Sequence, residues 1–379
     1  MSPTPEAFRA EFPVAQEWAY LNHAAIGPFP QRTVRALKEF VDLFADTPAY
    51  LRSEREDTAQ TAAHYVAELA GARPEMVAFV PSLADGMNLF ANGIDWRDGD
   101  NVLIPVEEFP SVVYPFLNLG YKGVTVRFVE KDAHGRTDPA RIAAAIDDRT
   151  RAVALSHVEF MDGYRNDLKQ LADICRPRGI EVFVDATQSL GALPVEVARS
   201  GVSGIAAHGY KWLMSSFGIG VVVLGEDALE RIRPTYAGRL SVDVGYEDLN
   251  YRMQWKPGAE RFHTGGLNTL GLTAMAASLS LVTEAGPAWT AQHTAHLTDR
   301  LIEGLDALGY TVASSRAPEH RSQIVAFTAG SREQDAQLVD DLERANVSVT
   351  LRGRGVRVSP YFYNTVDDIE KLLEALPPR

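Results

Sequence analysis

The sequence predicts an α/β protein with a parallel β-sheet, followed by a smaller α+β region. In the first two thirds of the chain, short apolar runs alternate with segments that have helical spacing. This alternation is typical of βαβ units, in which helices cover both faces of the sheet. After about residue 255, two long helical segments are followed by short strand-like runs among helices, which indicates a change of architecture.

Seven apolar runs in the first part are candidate strands, at residues 76–80, 101–106, 124–129, 151–158, 181–186, 204–209 and 219–225. In sheets of this kind, ligands bind at the carboxyl ends of the strands. Ser82, Glu107, Asp185 and His208 lie at such positions. In the C-terminal part, short strands are predicted within "YTVAS", "QIVAFTA", "VSVTLR" and "GVRVSP".

The composition argues against several classes of partner. The chain has 379 residues, 46% of them apolar, and a formal net charge of −13; at about 150 residues per domain, this length suggests two domains. Because no run of lysine or arginine forms a basic patch, we expect neither nucleic acid nor a membrane as a partner. No apolar run reaches the roughly 18 residues that span a bilayer, and the first residues lack the features of a secretory signal. We therefore expect a cytoplasmic protein.

An acidic residue ends one candidate strand, and a lysine follows 26 positions later (211 − 185). The run "EVFV" leads into Asp185, where a buried carboxylate is costly unless a cation meets it. Lys211 lies in "AAHGYKWLMSSFGIG", among aromatic and apolar residues. Partial desolvation lowers the pKa of such a lysine and makes it a good imine former. A simpler interpretation is that Asp185 caps a turn and Lys211 is a solvated surface charge.

Pyridoxal 5′-phosphate needs both of these groups. A lysine holds the cofactor's aldehyde as a Schiff base, and an aspartate pairs with the pyridinium nitrogen so that the ring withdraws electrons. The pair Asp185 and Lys211 therefore predicts pyridoxal 5′-phosphate as the cofactor.

Several motifs together resemble class V aminotransferase-fold enzymes. This family includes cysteine desulfurases, selenocysteine lyases, kynureninases, isopenicillin N epimerases and C–S lyases. The resemblance rests on "VFVDATQSLGALPVEV" and "AAHGYKWLMSSFGIG", and it continues through "YLNHAAIGPFP", "FVPSLADGMNLFANG", "EEFPSVVYPF", "LSHVEFMDGYRNDL" and "VRVSPYFYNTVDDIEKLLEAL". It implies the type I pyridoxal-phosphate enzyme architecture, with a mostly parallel seven-stranded sheet in a large domain and a small α+β C-terminal domain.

The resemblance also implies how the chain is divided and assembled. We expect residues 1–30 to line the site and pack on the small domain. Residues 31–255 are expected to form the large cofactor-binding domain, and residues 256–379 the small domain. A homodimer is expected, with both active sites at the interface between the subunits.

For the cofactor ring, the resemblance assigns four residues. Lys211 is expected to carry the cofactor, Asp185 to bind its pyridinium nitrogen, and Gln188 to donate a hydrogen bond to its phenolic oxygen. Phe109 is at the position where the family has a ring-stacking His or Phe. A core aromatic without contact to the cofactor is the alternative for Phe109.

The phosphate is expected at the start of a helix, where Ser82, Leu83 and Ala84 offer backbone N–H groups. The family often has a threonine pair where this chain has Leu83 and Ala84, so the backbone must contribute more here. His208 and Tyr210 flank the lysine, where relatives hold the phosphate with Ser, His or Tyr. His208 is expected to supply positive charge.

Arg357 matches the family arginine that binds the α-carboxylate of the substrate through a bidentate contact. An ion pair with a nearby carboxylate such as Glu107 is the alternative. Arg352 and Arg354 are expected to be solvated unless one of them meets a second acid group of a substrate. His23 lies in the loop that lines the site in relatives, either as a catalytic residue or as a packed one.

Two positions depart from the family pattern. Desulfurases carry a nucleophilic cysteine on a loop near the C-terminal arginine, whereas the single cysteine of this chain is Cys175. A persulfide mechanism in its usual form is therefore excluded, and so are an intrachain disulfide and a cysteine-based metal cluster. In "RFHTGGLN", Gly266 takes the place of a threonine that reaches the phosphate from the partner subunit, and Thr264 is a candidate substitute.

The sequence thus predicts a pyridoxal-phosphate enzyme that acts on an α-amino acid. We favour β-elimination from a cysteine-derived conjugate, as in a C–S lyase. Epimerisation, transamination and decarboxylation share the same substrate class and remain open. A binding or regulatory protein that has lost the chemistry is disfavoured, because such a chain has no need to keep both Lys211 and Asp185.

Overall fold

The structure is a computed structural model. It describes residues 3–46, 52–132, 134–245 and 251–379, without the side chains of residues 52–56. Its helices are α1 (Pro5–Arg9), α2 (Gln31–Asp46), α3 (Arg52–Ala70), α4 (Leu83–Gly93), α5 (Pro110–Leu117), α6 (Pro139–Ala145), α7 (Leu168–Cys175), α8 (Val197–Ser200), α9 (Glu226–Arg231), α10 (Thr269–Ala285), α11 (Pro287–Ala307), α12 (Arg332–Arg344) and α13 (Val366–Ala375). Within these ranges, no helix combines the length and the apolar character needed to cross a bilayer.

The strands are β1 (Ala19–Tyr20), β2 (Val77–Val80), β3 (Asn101–Pro105), β4 (Thr125–Val129), β5 (Thr150–Ser156), β6 (Glu181–Asp185), β7 (Gly204–His208), β8 (Gly220–Leu224), β9 (Thr311–Val312), β10 (Val325–Thr328), β11 (Val347–Ser348), β12 (Thr350–Arg352) and β13 (Gly355–Val358). The seven strands predicted for the large domain are confirmed, and their ends differ from the prediction by one or two residues.

One sheet of seven strands has the order β2-β8-β7-β6-β5-β3-β4. Strand β8 is antiparallel to both of its neighbours, and every other neighbouring pair is parallel. The inner strands β3 and β6 are buried along their whole length, which explains why they appear as continuous apolar runs rather than as alternating ones. The predicted type I architecture, with its mostly parallel seven-stranded sheet, is confirmed.

Polar caps fix where helices begin after the strands. The Ser82 side chain accepts a hydrogen bond from the Asp85 backbone N–H at the start of α4, and Asp167 accepts one from Gln170 at the start of α7. Such caps satisfy backbone donors that have no partner within the helix. They keep the first turn of α4 at the edge where β2 ends.

The C-terminal region contains a second sheet of four antiparallel strands, in the order β12-β13-β10-β9. The predicted strand in "VSVTLR" is divided at Val349 into β11 and β12, which belong to different sheets. Strand β11 pairs in parallel with β1. This pairing attaches the N-terminal segment to the C-terminal region.

Two hydrophobic clusters form the core, and they divide the chain differently from the predicted boundary at 255/256. The larger cluster contains the central sheet and also Leu272, Met275, Leu279 and Val282 of α10. The smaller cluster contains residues of β1, α11, β10, β13 and α13. Helix α10, which the prediction placed in the small domain, therefore packs with the large one. Its apolar side chains alone could not show which sheet they cover.

Candidate active site

The carboxyl ends of the strands bring several predicted site residues to one edge of the central sheet. Asp185 ends β6, and the register places it beside Ser156 at the end of β5 and Ala206 in β7. His208 ends β7, and Ser82 follows β2. These strands run in the same direction, so their ends face one cleft, as expected for a ligand site on such a sheet.

Asp185 is a buried carboxylate, with 5% of its surface exposed. The backbone N–H of Thr187 donates a hydrogen bond to its Oδ1 at 2.7 Å. Burial raises the pKa of Asp185, and the hydrogen bonds from Thr187 and the charge of Lys211 oppose this rise. An ionised carboxylate at this depth is stabilised by a cationic partner such as a protonated pyridine ring.

Lys211 lies in the turn between β7 and β8, which the N-terminal segment holds in place. The backbone N–H of Gly27 donates to the Tyr210 carbonyl at 2.8 Å. A Cβ atom at position 27 would lie 2.2 Å from the Lys211 carbonyl oxygen, so this approach requires glycine. Lys211 is only 8% exposed. Burial lowers its pKa to about 8, although the charge of Asp185 acts to raise it. The interpretation as a solvated surface lysine is therefore wrong.

Arg357 is almost completely buried, with 1% of its surface exposed. Its Nη1 donates to the Phe160 carbonyl at 2.6 Å, whereas Nε and Nη2 have no hydrogen-bond partner within the described residues. Burial lowers the pKa of Arg357 to about 9, and the charge of Arg352 adds to the effect. Two unpaired donors on one buried guanidinium fit an incoming carboxylate.

The alternative ion pair between Arg357 and Glu107 does not form. Glu107 instead lies 3.5 Å from Arg354 and 3.9 Å from Lys131, as measured between the charged atoms. Arg354 also lies 3.7 Å from Asp162. The carboxylates near the β12–β13 turn are thus engaged by Arg354 and Lys131, and Arg357 is left for another anion.

The first turn of α4 presents backbone donors at the same edge of the sheet. Ser82 donates its hydroxyl to the Asp85 carboxylate at 2.6 Å, and the Leu83 N–H donates to His208 Nδ1 at 3.4 Å. Ala84 follows in the same turn. Backbone N–H groups at a helix start, together with the helix dipole, suit a phosphate.

The protein surroundings of His208 oppose the positive charge that the sequence led us to expect. Burial lowers its pKa to about 4, and the nearby Lys211 charge adds to this effect. Since Nδ1 accepts from Leu83, the neutral ring carries its proton on Nε2. The Tyr210 ring packs 4.7 Å from His208 and 4.4 Å from Phe217, between centroids. Both residues can offer a donor to an anion, and a bound anion would act on the His208 pKa in the opposite direction to burial.

Gln188 is fixed in orientation by its neighbours. Its Nε2 donates to the Ala24 carbonyl at 3.0 Å, and its Oε1 accepts from Trp212 Nε1 at 2.8 Å. One N–H of the amide thus remains for a further acceptor. This orientation is compatible with the predicted hydrogen bond to a phenolic oxygen.

His23 lies inside an aromatic cluster and does not line the open cleft. It is fully buried, its Nε2 is 2.8 Å from the Tyr363 hydroxyl, and its ring lies 5.4 Å from that of Trp212 and 4.6 Å from that of Tyr361, between centroids. Burial lowers its pKa to about 3. Of the two interpretations of His23, the geometry favours the packed residue over the catalytic one.

Gly266 lines a cavity that does not include Lys211 of the same chain. A cavity of about 520 Å³ is lined by Gly266, Thr264, Asp85 and their neighbours, and it does not include Lys211, Asp185 or Arg357. A Cβ atom at position 266 would meet nothing within 4 Å among the described atoms. Gly266 therefore faces open space, and its predicted contact with a phosphate of the partner subunit stays a prediction.

Cys175 is remote from the cleft. It ends α7, and its carbonyl accepts from the N–H of Ile180, just before the start of β6. Asp185, at the other end of β6, marks the cleft. The thiol is buried, and burial raises its pKa to about 11, so it is neither placed nor ionised for nucleophilic attack.

Two residues of the site were missed by the sequence reasoning. Thr187 donates its N–H to Asp185 and accepts the His208 N–H at 3.2 Å through its hydroxyl; its position two residues after an aspartate is a turn signal that could have been used. Glu108 accepts hydrogen bonds from the Ser156 N–H and hydroxyl, both at 2.6 Å. Burial raises the pKa of Glu108 to about 8, together with nearby acidic charges. No local pattern marks Glu108 as buried.

The assembled groups fit pyridoxal 5′-phosphate and an amino acid. Lys211 offers an amine with a lowered pKa and lies against the Phe109 ring, with its Nζ 5.6 Å from the ring centroid. Asp185 offers a buried carboxylate, and the start of α4 offers donors for a phosphate. Arg357 offers two nitrogen donors without a partner among the described residues, Nε and Nη2, to a carboxylate.

Comparison with known proteins agrees with this geometry. Residues 19–372 match the family described as "Aminotransferase class-V". The chain is 29% identical over 392 residues to a probable cysteine desulfurase of Methanothermobacter thermautotrophicus, and the similarity covers 98% of this chain and 97% of the relative.

Solved structures share the fold over nearly the full length. An apo cysteine desulfurase from Thermococcus onnurineus NA1 has a TM-score of 0.86 at 23% identity, covering 99% of this chain and 98% of that one. The cystine C–S lyase C-DES, in complex with its product cysteine persulfide, has a TM-score of 0.88 at 24% identity, covering 96% and 98%. Because the family match spans almost the whole sequence and the site fits the predicted cofactor, the chain belongs to the class-V aminotransferase family of pyridoxal-phosphate-dependent enzymes.

Proposed function

We propose that this enzyme is a C–S lyase, which cleaves an S-substituted cysteine by β-elimination and releases a thiol, pyruvate and ammonia. One observation carries the proposal. Within the part of the chain that the structure describes, the site contains a buried lysine and a buried arginine with two unpartnered nitrogen donors, but it contains no cysteine. Lys211 and Arg357 can act on an α-amino acid, whereas Cys175 is buried at the far edge of the sheet. Similarity to a probable cysteine desulfurase and to a cystine C–S lyase supports a sulfur-containing substrate.

Each residue of the site has a separate role in the proposed reaction. When bound, pyridoxal phosphate withdraws electrons from the substrate's α-carbon through its protonated ring. Asp185 would hold the proton on the ring nitrogen, and Phe109 would pack against the ring. The backbone N–H groups of Ser82, Leu83 and Ala84 at the start of α4 would bind the phosphate. Arg357 orients the substrate through its α-carboxylate.

Lys211 is the proposed base. With its pKa lowered to about 8, its Nζ is partly neutral near pH 7 and can accept the α-proton. The electron pair of the Cα–H bond forms the Cα–Cβ double bond, and the Cβ–S bond breaks with its electrons on sulfur. The thiolate takes up a proton and leaves as a thiol. The released 2-aminoacrylate tautomerises to an imine, which water hydrolyses to pyruvate and ammonia.

A panel of S-substituted cysteines tests this reaction. The holoenzyme is incubated with each compound in deuterated water, and the products are followed by NMR and mass spectrometry. We expect pyruvate, ammonia and a free thiol in equal amounts. Recovery of the substrate with α-deuterium and inverted configuration would instead indicate an epimerase. Formation of the cofactor's amine form, reversed by a keto acid, would indicate an aminotransferase, and loss of CO₂ a decarboxylase.

We also infer that the enzyme is a homodimer in which Gly266 or Thr264 lies near the phosphate of the partner subunit. The open space beside Gly266 supports this inference, as do the exposed side chains of Phe217 and Tyr236, which are 64% and 75% exposed in the single chain. Light scattering on the eluting protein is expected to give twice the chain mass. A monomer that keeps full cofactor occupancy would contradict the inference.

A further inference from the structure

The β12–β13 hairpin carries two arginines on one face. Thr350 pairs with Arg357, and Arg352 pairs with Gly355 in the antiparallel register. Because opposite residues and residues two apart share a face of a sheet, the side chains of Arg352 and Arg357 project from the same side. The two positions are diagonal neighbours, at a typical spacing of about 7–8 Å between their backbones. Gly355 offers no side chain between them.

Arg352 and Arg354 differ in their partners, although they belong to the same turn. Arg354 lies near the carboxylates of Glu107 and Asp162, at 3.5 and 3.7 Å. Arg352 is exposed, and the described residues give it neither an ion pair nor a hydrogen bond. The acids available at this turn are thus engaged by Arg354, and the charge of Arg352 is left uncompensated.

The surroundings of Arg352 are those of the active site. Its positive charge lowers the pKa of both Lys211 and Arg357, so it acts on the proposed base and on the proposed carboxylate-binding residue. Asp185 is the carboxylate that acts on Lys211 in the opposite direction. Asp185 thus offsets Lys211, whereas Arg357 and Arg352 are two cations that form no ion pair within the described residues. The α-carboxylate of an amino acid compensates one of them, at Arg357, and leaves Arg352 for a second anion.

We propose that Arg352 is a specificity residue that binds an anionic oxygen group on the substrate's side chain, so that the preferred conjugate carries a carboxylate on its S-substituent. This inference rests on the proposed function, which identifies the substrate as a sulfur compound. The contact between Arg352 and an anionic side chain requires only that an amino acid reaches the site. Arg357 fixes one end of the substrate, and Arg352, on the same face of the hairpin, binds the other.

The test compares two ligands of nearly equal shape and different charge. S-carboxymethyl-L-cysteine carries the second carboxylate, and S-carbamoylmethyl-L-cysteine replaces it with a neutral amide. Dissociation constants are measured in the holoenzyme from the initial absorbance change of the bound cofactor after stopped-flow mixing, before any product forms, for the wild type, Arg352→Gln and Arg354→Gln. We expect the wild type to bind the carboxymethyl compound about two- to fivefold more tightly than the carbamoylmethyl compound. Arg352→Gln should lose this preference, and Arg354→Gln should keep it.

Two results would overturn the proposal: a wild type that does not distinguish the two ligands, and an Arg352→Gln variant that keeps the preference. If that variant binds both ligands more weakly by the same factor, the preference is kept and Arg352 acts on the shared α-carboxylate. Because binding is read before C–S cleavage, a preference that depends on Arg352 in an enzyme that forms no pyruvate would refute the lyase assignment and leave the role of Arg352 intact.

Discussion

The side-chain nitrogen of Lys211 lies 5.6 Å from the centroid of the Phe109 ring. Phe109 in turn packs nearly perpendicular to Phe160, with ring centroids 5.3 Å apart, and the Phe160 carbonyl accepts a hydrogen bond from Arg357 at 2.6 Å. A continuous series of contacts thus joins the amine, an aromatic face and the guanidinium. The proposed base and the proposed carboxylate-binding residue are separated by only two aromatic residues.

Lys211 is expected to be the point of covalent attachment of the cofactor. Borohydride treatment of the yellow holoenzyme, followed by peptide mapping, should place the reduced adduct on Lys211. Lys211→Ala should abolish turnover, because both the attachment point and the base are removed, while the phosphate contacts still allow weak binding of the cofactor. Lys169→Ala is a suitable control, since Lys169 pairs with Asp173 on the surface, where both side chains are 60% exposed. An adduct on any other lysine would refute the assignment.

Arg357→Ala is expected to lower kcat/KM by about ten- to a hundredfold, because a hydrogen-bonded contact with a charged group contributes roughly 1.5–3 kcal/mol. Attachment of the cofactor to Lys211 should persist, which the absorbance spectrum and borohydride trapping can check. Arg357→Lys keeps the charge but loses the planar fork, so it should recover only part of the activity. A fully active Arg357→Ala variant would mean that the arginine is structural.

The positions of Asp185, Ser82 and His208 could be predicted from the sequence because strand ends in a parallel sheet meet at one edge. The boundary of the small domain could not. Helix α10 is apolar on much of its surface, and its packing against the large domain depends on α2 and α3, which are more than 200 positions earlier in the chain. Sequence spacing carries no information about contacts of that range.

The charge states of the site residues also could not be predicted from the neighbouring residues in the sequence. The sequence suggested a positive charge on His208, but it could not show that burial and the neighbouring Lys211 lower the pKa of this residue. Likewise, "EEF" gave no indication that Glu108 is buried against Ser156 while Glu107 is half exposed at the surface. The pKa of His208 and that of Glu108 both depend on how deeply the side chain is buried in the fold. Even adjacent residues such as Glu107 and Glu108 differ in this respect.

Capture of the cofactor by the apoenzyme is expected to depend on pH with a midpoint near 8. Burial lowers the pKa of Lys211 from its model-compound value to about 8, and only the neutral amine attacks an aldehyde. The rate should therefore fall about tenfold for each pH unit below 8 and become constant above it. Stopped-flow absorbance measures this rate, with Nα-acetyl-lysine as the control for the titration of the cofactor itself. A midpoint near that of the free amine would show that Lys211 is solvated in the apoenzyme.

Gly27→Ala tests whether the N-terminal segment positions Lys211. The added Cβ would lie 2.2 Å from the Lys211 carbonyl oxygen, and the nearest other atom is the Met214 Cγ at 3.0 Å. Because a backbone atom cannot move aside as a flexible side chain can, the segment and the turn must separate. We expect a loss of about 1–3 kcal/mol in the free energy of unfolding, together with slower cofactor capture. Denaturant titration measures the free energy of unfolding, and the stopped-flow assay measures the rate of cofactor capture.

Gly120→Ala is the matched control, since a Cβ there meets nothing within 4 Å. If Gly27→Ala is as stable as Gly120→Ala and captures the cofactor at the wild-type rate, the segment does not hold Lys211 in place.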